Sequence, residues 1–74
     1  MTSLISHDND QGFHRVVLEL DEFVGVYVYV FETATALTPA RDYLQDDLEM
    51  AMLFCFEDLG VPRTSWVPFD GPAI

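Results

Sequence analysis

Apolar and polar residues alternate regularly over residues 15–21, where Val16, Leu18 and Leu20 share one face and the opposite face is mostly charged. A period of two residues is typical of a half-buried β-strand. Residues 23–31 follow after a short connection and are almost entirely β-branched or aromatic, which is the composition that strands prefer. The two segments therefore predict a β-hairpin.

The second predicted strand is apolar on both faces. Successive side chains of a strand point to opposite sides of a sheet, and here this separates valines from aromatic residues. The valine face comprises Val26, Val28 and Val30, and the aromatic face comprises Tyr27, Tyr29 and Phe31. Gly25 fits a left-handed turn position or a β-bulge at the start of this strand. Both faces need a cover, because neither carries a charged side chain.

One long helix is predicted over residues 39–59. Thr38 supplies the hydroxyl group of an N-cap, and Pro39 fits the first helical position, where no backbone N–H is needed. At the other end, Gly60 suits the left-handed residue that follows a helix, and Pro62 prevents the helix from continuing.

Helical spacing divides the predicted helix into two apolar stripes and an acidic sector. The core stripe comprises Leu44, Leu48, Ala51, Met52, Cys55 and Leu59. The second apolar stripe comprises Tyr43, Met50 and Phe54, and the acidic sector comprises Asp42, Asp46, Glu49 and Glu57. The core stripe is expected to pack against the sheet, which leaves the other two sectors for other contacts.

The order of these elements predicts one small α+β domain over residues 13–70, built as a hairpin, a long helix and a short third strand (ββαβ). The third strand falls within residues 64–69, and Pro68 restricts it to the edge of the sheet. Residues 1–12 are rich in turn-forming polar residues and predict a flexible arm. Residues 71–74 are predicted to be a tail.

A chain of 74 residues is short for a self-sufficient hydrophobic core. Domains of about 60 residues bury only about 60% of the surface of the unfolded chain, and many gain stability from disulfides, a metal or a second copy. The chain has one cysteine, Cys55, and so cannot close an intramolecular disulfide. Since apolar surface is also left over, the sequence predicts a homodimer.

Thirteen carboxylates and three arginines give a formal net charge of −10, with no lysine. Direct binding to nucleic acid or to an anionic membrane is not expected, because both require a basic face. The acidity favours a basic protein partner instead. A high-GC genome or a salt-rich cytoplasm would produce the same composition without any such function, and composition alone does not separate these interpretations.

The location predicted from the sequence is cytoplasmic. The longest apolar stretches, 23–31 and 50–56, are shorter than the ~20 residues of a membrane-spanning helix. The first residues have neither the basic region nor the apolar core of a secretory signal. A single cysteine also fits a reducing compartment.

No combination of reactive side chains predicts catalysis. Cys55 lies in the core stripe, where burial raises the pKa of a thiol and hides it from substrate. His7 and His14 could act as bases, but nothing in the sequence places either of them beside Cys55.

Metal binding is not predicted either. Asp8, Asp10 and Glu19 match three positions of a calcium-binding EF-hand loop, but Gly12 and Phe13 occupy places where that loop needs an oxygen ligand and a glycine. The sequence predicts no bound cofactor.

The leading hypothesis is a non-enzymatic interaction module that acts through an apolar patch rimmed by carboxylates. The predicted patch comprises Tyr27, Tyr29, Phe31, Tyr43, Met50 and Phe54, and the rim comprises Asp42, Asp46, Glu49 and Glu57. An alternative is an acidic inhibitor that imitates the phosphate charges of nucleic acid and blocks a DNA- or RNA-binding protein. A third is a small enzyme with a site shared across a dimer interface.

Overall fold

Five antiparallel strands and one helix make up the computed structural model, which describes residues 2–70. In chain order the elements are β1 (Thr2–Ser6), β2 (Arg15–Asp21), β3 (Gly25–Phe31), β4 (Arg41–Gln45), α1 (Leu48–Leu59) and β5 (Val67–Phe69). The spatial order of the strands is β4-β3-β2-β1-β5. The predicted α+β class is confirmed, and so is the sequence of hairpin, helix and final short strand.

The hairpin forms as its alternation predicts. β2 and β3 pair in antiparallel register, with Val16 opposite Val30 and Leu18 opposite Val28. These four side chains are fully buried and lie on the face of the sheet that carries the helix. The helix therefore covers the valine face of β3.

The prediction of a flexible arm is wrong for residues 2–6, which form β1. This strand lies inside the sheet and pairs with β2 on one side and β5 on the other. Ile5 is buried on the face opposite the helix, and the hydroxyl groups of Ser6 and Ser65 are hydrogen-bonded at 2.7 Å. Pairing with β2 and β5 orders these residues, although their own sequence has no strand pattern. The predicted tail at residues 71–74 lies outside the described residues.

The helix is shorter than predicted because its first nine predicted residues are not helical. Residues 41–45 form β4, and the helix begins at Leu48. The N-cap is Asp47, whose carboxylate Oδ1 accepts a hydrogen bond of 2.9 Å from the backbone N–H of Met50. Thr38 and Pro39 have the sequence of a helix start but lie in the connection between β3 and β4.

The predicted helix end is confirmed. Gly60 adopts the left-handed conformation, with φ of 69°, and its N–H donates to the carbonyl oxygen of Cys55. Val61 is fully buried, and its N–H donates to the same carbonyl. The helix therefore has 12 residues, from Leu48 to Leu59. No helix within residues 2–70 has the length and apolar character needed to cross a membrane.

The main core lies between the helix and the sheet. Ala51, Cys55 and Leu59 of the predicted core stripe are buried there, packed against the valine face of β3. Leu44 does not belong to this stripe, because β4 carries it on the opposite face of the sheet, where it is 51% exposed.

A smaller core covers part of the opposite face of the sheet. Ile5, Val17 and Phe31 are buried together there, with Ala36 packed against them. The guanidinium group of Arg15 lies 4.0 Å from the centre of the Phe31 ring and donates to the backbone carbonyls of Thr33 and Ala36. Arg15 thus holds the β3–β4 connection over this face.

The last strand is an edge strand, as Pro68 predicts, and it pairs with β1. A position beside β3 would have made it parallel, but β4 occupies that side of β3. The two edges of the sheet are therefore β4 and β5.

Candidate functional site

The aromatic residues predicted to form one patch lie in three places. Phe31 is fully buried, so it is not available to a partner. Tyr27 and Tyr29 stack on the face opposite the helix, with ring centres 6.0 Å apart. Tyr43 and Phe54 contact each other on the helix side, with ring centres 4.7 Å apart. A single continuous aromatic patch is therefore not present.

Met50 belongs to an exposed apolar stripe on the outer side of the helix. It is 46% exposed and is followed at helical spacing by Leu53 and Phe56, which is 53% exposed. Glu49 and Glu57 are exposed on the same helix. We call Met50, Leu53 and Phe56 the helix stripe.

The predicted acidic sector is also divided, because half of it precedes the helix. Asp42 lies on β4, and Asp46 lies in the turn between β4 and α1. Glu49 forms an exposed ion pair of 3.2 Å with Arg63, while Glu57 is exposed on the helix. Only Glu49 and Glu57 share the helix, so the rim does not form one face.

A groove of about 580 Å³ opens at the end of the sheet, between the β2–β3 turn and the start of the helix. It is lined by Leu20, Asp21, Glu22, Phe23, Gly25, Val26, Asp46 and Leu48. We call these residues the hairpin-tip groove. This groove is larger than the second cavity, which is described below. Its lining combines apolar side chains with several carboxylates.

Phe23 projects from the tip of the hairpin with 90% of its surface exposed. The turn that carries it is fixed from within. The carboxylate Oδ1 of Asp21 accepts hydrogen bonds from the backbone N–H groups of Phe23 and Val24, at 2.9 and 3.0 Å. A large aromatic side chain on an ordered turn loses little conformational freedom when it binds, which is a property of binding anchors.

The tip is also held against the β4–α1 turn. Gly25 has φ of 136°, a conformation that favours glycine, and a Cβ at this position would overlap the carbonyl oxygen of Gln45. The backbones of the hairpin and of the β4 end are therefore in direct contact. This contact brings Asp46 and Leu48 to the same groove as Phe23.

The chemistry of the hairpin-tip groove is mixed. Leu20, Val26 and Leu48 provide apolar surface, and three carboxylates, from Asp21, Glu22 and Asp46, share the lining. None of the lining residues is basic. Such a surface matches an apolar side chain flanked by cationic groups.

Phe23 was not among the residues that the sequence pattern assigned to a site. It was grouped with the second strand, because residues 23–31 form one apolar run. The available signal was its position between acidic residues and Gly25, inside a turn three residues long. A side chain in so short a turn points away from both strands and has no core to enter.

A second, smaller cleft of about 250 Å³ lies beside β4, and four of its five lining residues lie on the face opposite the helix. It is lined by Tyr27, Tyr29, Asp42, Tyr43 and Leu44, and we call it the tyrosine cleft. Partial burial raises the pKa of the Tyr29 hydroxyl group, and Glu19, Tyr27 and Asp42 add to the effect by their charges. At neutral pH the Tyr29 hydroxyl group therefore keeps its proton and remains a hydrogen-bond donor in the cleft.

Cys55 is fully buried in the main core. Burial is the main reason that the pKa of its thiol rises from 9.0 to about 12, and the carboxylate of Asp58 adds to this. The thiolate, which is the nucleophilic form, is therefore scarce at neutral pH. The environment is that of a packing residue, as the sequence predicts.

Cys55→Ala should lower the free energy of unfolding by about 1–2 kcal/mol, because it removes a buried sulfur. The same substitution should also reduce the loss of stability that the protein shows when the pH is raised. The unfolded thiol loses its proton near pH 9.0 and the folded thiol near 12, so stability is lost progressively between these values. Urea unfolding at pH 7 and pH 10.5 measures both effects. An equal loss between the two pH values in both proteins, or rapid labelling of native Cys55 at pH 7, would contradict this interpretation.

The two histidines meet in the β1–β2 connection, with ring centres 5.3 Å apart in an edge-to-face arrangement. The Nδ1 atom of His14 lies 3.3 Å from the guanidinium group of Arg15. Since a guanidinium group only donates, this nitrogen acts as the acceptor. Within residues 2–70, no group of three or more potential ligands from His, Cys, Asp or Glu is arranged to hold a metal ion.

Comparisons of the chain with protein-family models, with curated proteins and with solved structures give no match.

Proposed function

We propose that the chain is a non-catalytic protein-interaction module and that the hairpin-tip groove is its binding surface. The observation that carries the proposal is Phe23, which is 90% exposed on a turn fixed by Asp21 and stands at the wall of a groove with apolar and acidic lining residues. Large exposed aromatic side chains beside a pocket are typical of binding anchors.

The partner proposed is a basic protein segment with at least one large apolar side chain. The apolar side chain enters the groove between Phe23 and Leu48, and lysine or arginine residues beside it contact the carboxylates of Glu22 and Asp46. The net charge of −10 accelerates the approach of such a segment and repels acidic proteins.

A non-catalytic role is supported by the position of the most reactive side chain. Cys55 is buried beneath the helix, and its thiol has a pKa of about 12. We further propose that the protein acts in the cytoplasm, where a single reduced cysteine is stable.

A peptide-display selection tests this proposal. Random peptides are selected on the immobilised protein and then counter-selected on Phe23→Ser. The expected peptides combine lysine or arginine with a large apolar residue, and Phe23→Ser should bind them at least about 30-fold more weakly, as loss of an anchor worth about 2 kcal/mol would cause.

Phe56→Ser is the matched control, because it also removes an exposed phenylalanine. Phe56 belongs to the helix stripe and does not line the groove. The affinity of Phe56→Ser for the same peptides should stay within about twofold of the unmodified protein. Failure to enrich any peptide, or enrichment of peptides that bind Phe23→Ser normally, would overturn the proposal.

Imitation of nucleic-acid charge is the competing function, and it makes a different prediction. A charge mimic acts through the number and spacing of its carboxylates, so Phe23→Ser would leave its binding intact. Neutralising substitutions such as Glu57→Gln, on the helix and outside the groove, would weaken it instead. The 90% exposure of Phe23 favours the interaction module.

A further inference from the structure

The two edges of the sheet differ in how well they are protected from pairing with another strand. β5 is three residues long and contains Pro68, which lacks a backbone N–H. β4 is five residues long, from Arg41 to Gln45, and contains no proline. Short length and proline are two of the usual protections of an edge strand, and β5 has both, whereas β4 has only the charged side chains of Arg41 and Asp42.

We propose that β4 is the dimerisation edge of this protein and pairs with β4 of a second copy. The two strands run antiparallel about a two-fold axis at Tyr43. In this register Asp42 lies opposite Leu44 of the second copy, and Arg41 lies opposite Gln45 of the second copy. The two sheets then become one continuous sheet, with the helices on the same face.

The tyrosine cleft supports this register. Leu44 is 51% exposed at the open side of β4, and the cleft beside it is lined by Tyr27, Tyr29 and Asp42. In the proposed pairing, Leu44 of the second copy lies opposite Asp42 and on the same face of the sheet. Its side chain therefore enters the cleft, and the same contact occurs twice because the dimer is symmetric.

The charges along the edge complement each other in this register. Arg15 and Arg63 are engaged within one chain, by Phe31 and by Glu49. Arg41 is exposed, and its guanidinium group lies 5.2 Å from the centre of the Phe13 ring, but it forms no ion pair with any residue in the described range 2–70. Antiparallel pairing brings Arg41 next to the turn of the second copy that contains two carboxylates, those of residues 46 and 47.

Net charge opposes this assembly, which gives it a distinctive dependence on salt. Each chain carries a net charge of −10, and the two Asp42 carboxylates lie diagonally across the axis at about 7–8 Å. Salt screens this repulsion over about 10 Å at 0.1 M. Dimerisation should therefore strengthen as salt rises, whereas binding of a basic partner should weaken.

Sedimentation of the unmodified chain at about 0.05 and 0.5 M NaCl tests the assembly. The expected mass is twice 8.4 kDa, with a lower dissociation constant at the higher salt concentration. Leu44→Asp should raise that constant at least about tenfold, since it removes the apolar contact and adds two charges at the interface. A monomer at both salt concentrations would overturn the proposal.

Disulfide trapping tests the register. Asp42→Cys and Leu44→Cys are prepared separately, and Cys55 stays in place because it is buried. A mixture of the two variants in oxidised glutathione should form a disulfide-linked dimer, because the Cβ atoms of directly opposite residues, about 4.5–5.5 Å apart, need move by only about 1 Å to reach the separation of about 3.5–4.5 Å found in a disulfide. Each variant alone, and Val67→Cys on the other edge, should form little. A dimer that is cross-linked through Val67→Cys, and not in the mixture of the two β4 variants, would show that β4 is not the interface.

Discussion

Gly25→Ala is expected to lower the free energy of unfolding by about 3–4 kcal/mol. The φ angle of 136° is strained for any residue with a Cβ, and the added methyl group would also overlap the carbonyl oxygen of Gln45. Each effect alone contributes about 1–3 kcal/mol. The overlapped atom belongs to the backbone, so the strain cannot be relieved by moving a side chain.

Gly12→Ala separates the two effects. Gly12 also has a positive φ, of 83°, but a Cβ there would meet no atom within 4 Å. Its substitution should therefore produce only the conformational strain, about 1 kcal/mol. Urea unfolding followed by circular dichroism measures both variants. Equal effects of the two substitutions would mean that the hairpin tip does not lie against the β4–α1 turn.

Phe31→Ala is expected to cost about 3–5 kcal/mol, the usual range for truncation of a buried phenylalanine. Phe31 is fully buried in the smaller core and also lies beneath the guanidinium group of Arg15. Loss of its ring leaves Arg15 without that contact and loosens the β3–β4 connection. The free energy of unfolding of so small a domain is only a few kcal/mol, so the variant should be largely unfolded at 37 °C.

Phe23→Ser is the matched comparison, since Phe23 stands just before β3 and Phe31 ends it. Because Phe23 is 90% exposed, its replacement should change the free energy of unfolding by no more than about 0.5 kcal/mol. Thermal unfolding of both variants gives the comparison. A strongly destabilised Phe23→Ser would mean that the side chain is packed and not free to bind.

The parts of the fold that the sequence predicts correctly are those with local signals. The alternation in β2 and the apolar run in β3 are both statements about neighbouring residues, and Gly60 ends the helix through its own backbone conformation. Pro68 likewise limits β5 to an edge through its missing N–H. These features do not depend on distant parts of the chain.

β1 and β4 were missed because their order comes from distant partners. Residues 2–6 form a strand by pairing with β5, more than 60 positions away. Residues 41–45 fit helical spacing, since Leu44 falls four residues before Leu48, but pairing with β3 makes them a strand. Asp47, which precedes the helix and caps it, was the local signal for the true start.

The sequence does not predict where the hairpin-tip groove lies. The sequence indicates an apolar surface beside carboxylates, and the hairpin-tip groove has that composition, but of the predicted residues only Asp46 lines it. Phe23 joins the groove because Gly25 packs against the β4–α1 turn. That contact depends on β4, whose strand conformation local periodicity did not indicate.

Binding of a selected basic peptide, followed by fluorescence anisotropy, tests the proposed function most directly. The unmodified protein, Phe23→Ser and Phe56→Ser are titrated at about 0.05 and 0.5 M NaCl. Binding through the hairpin-tip groove requires a loss of at least about 30-fold for Phe23→Ser, little change for Phe56→Ser, and weaker binding at the higher salt concentration. Equal affinities of Phe23→Ser and the unmodified protein would show that the groove is not the binding surface.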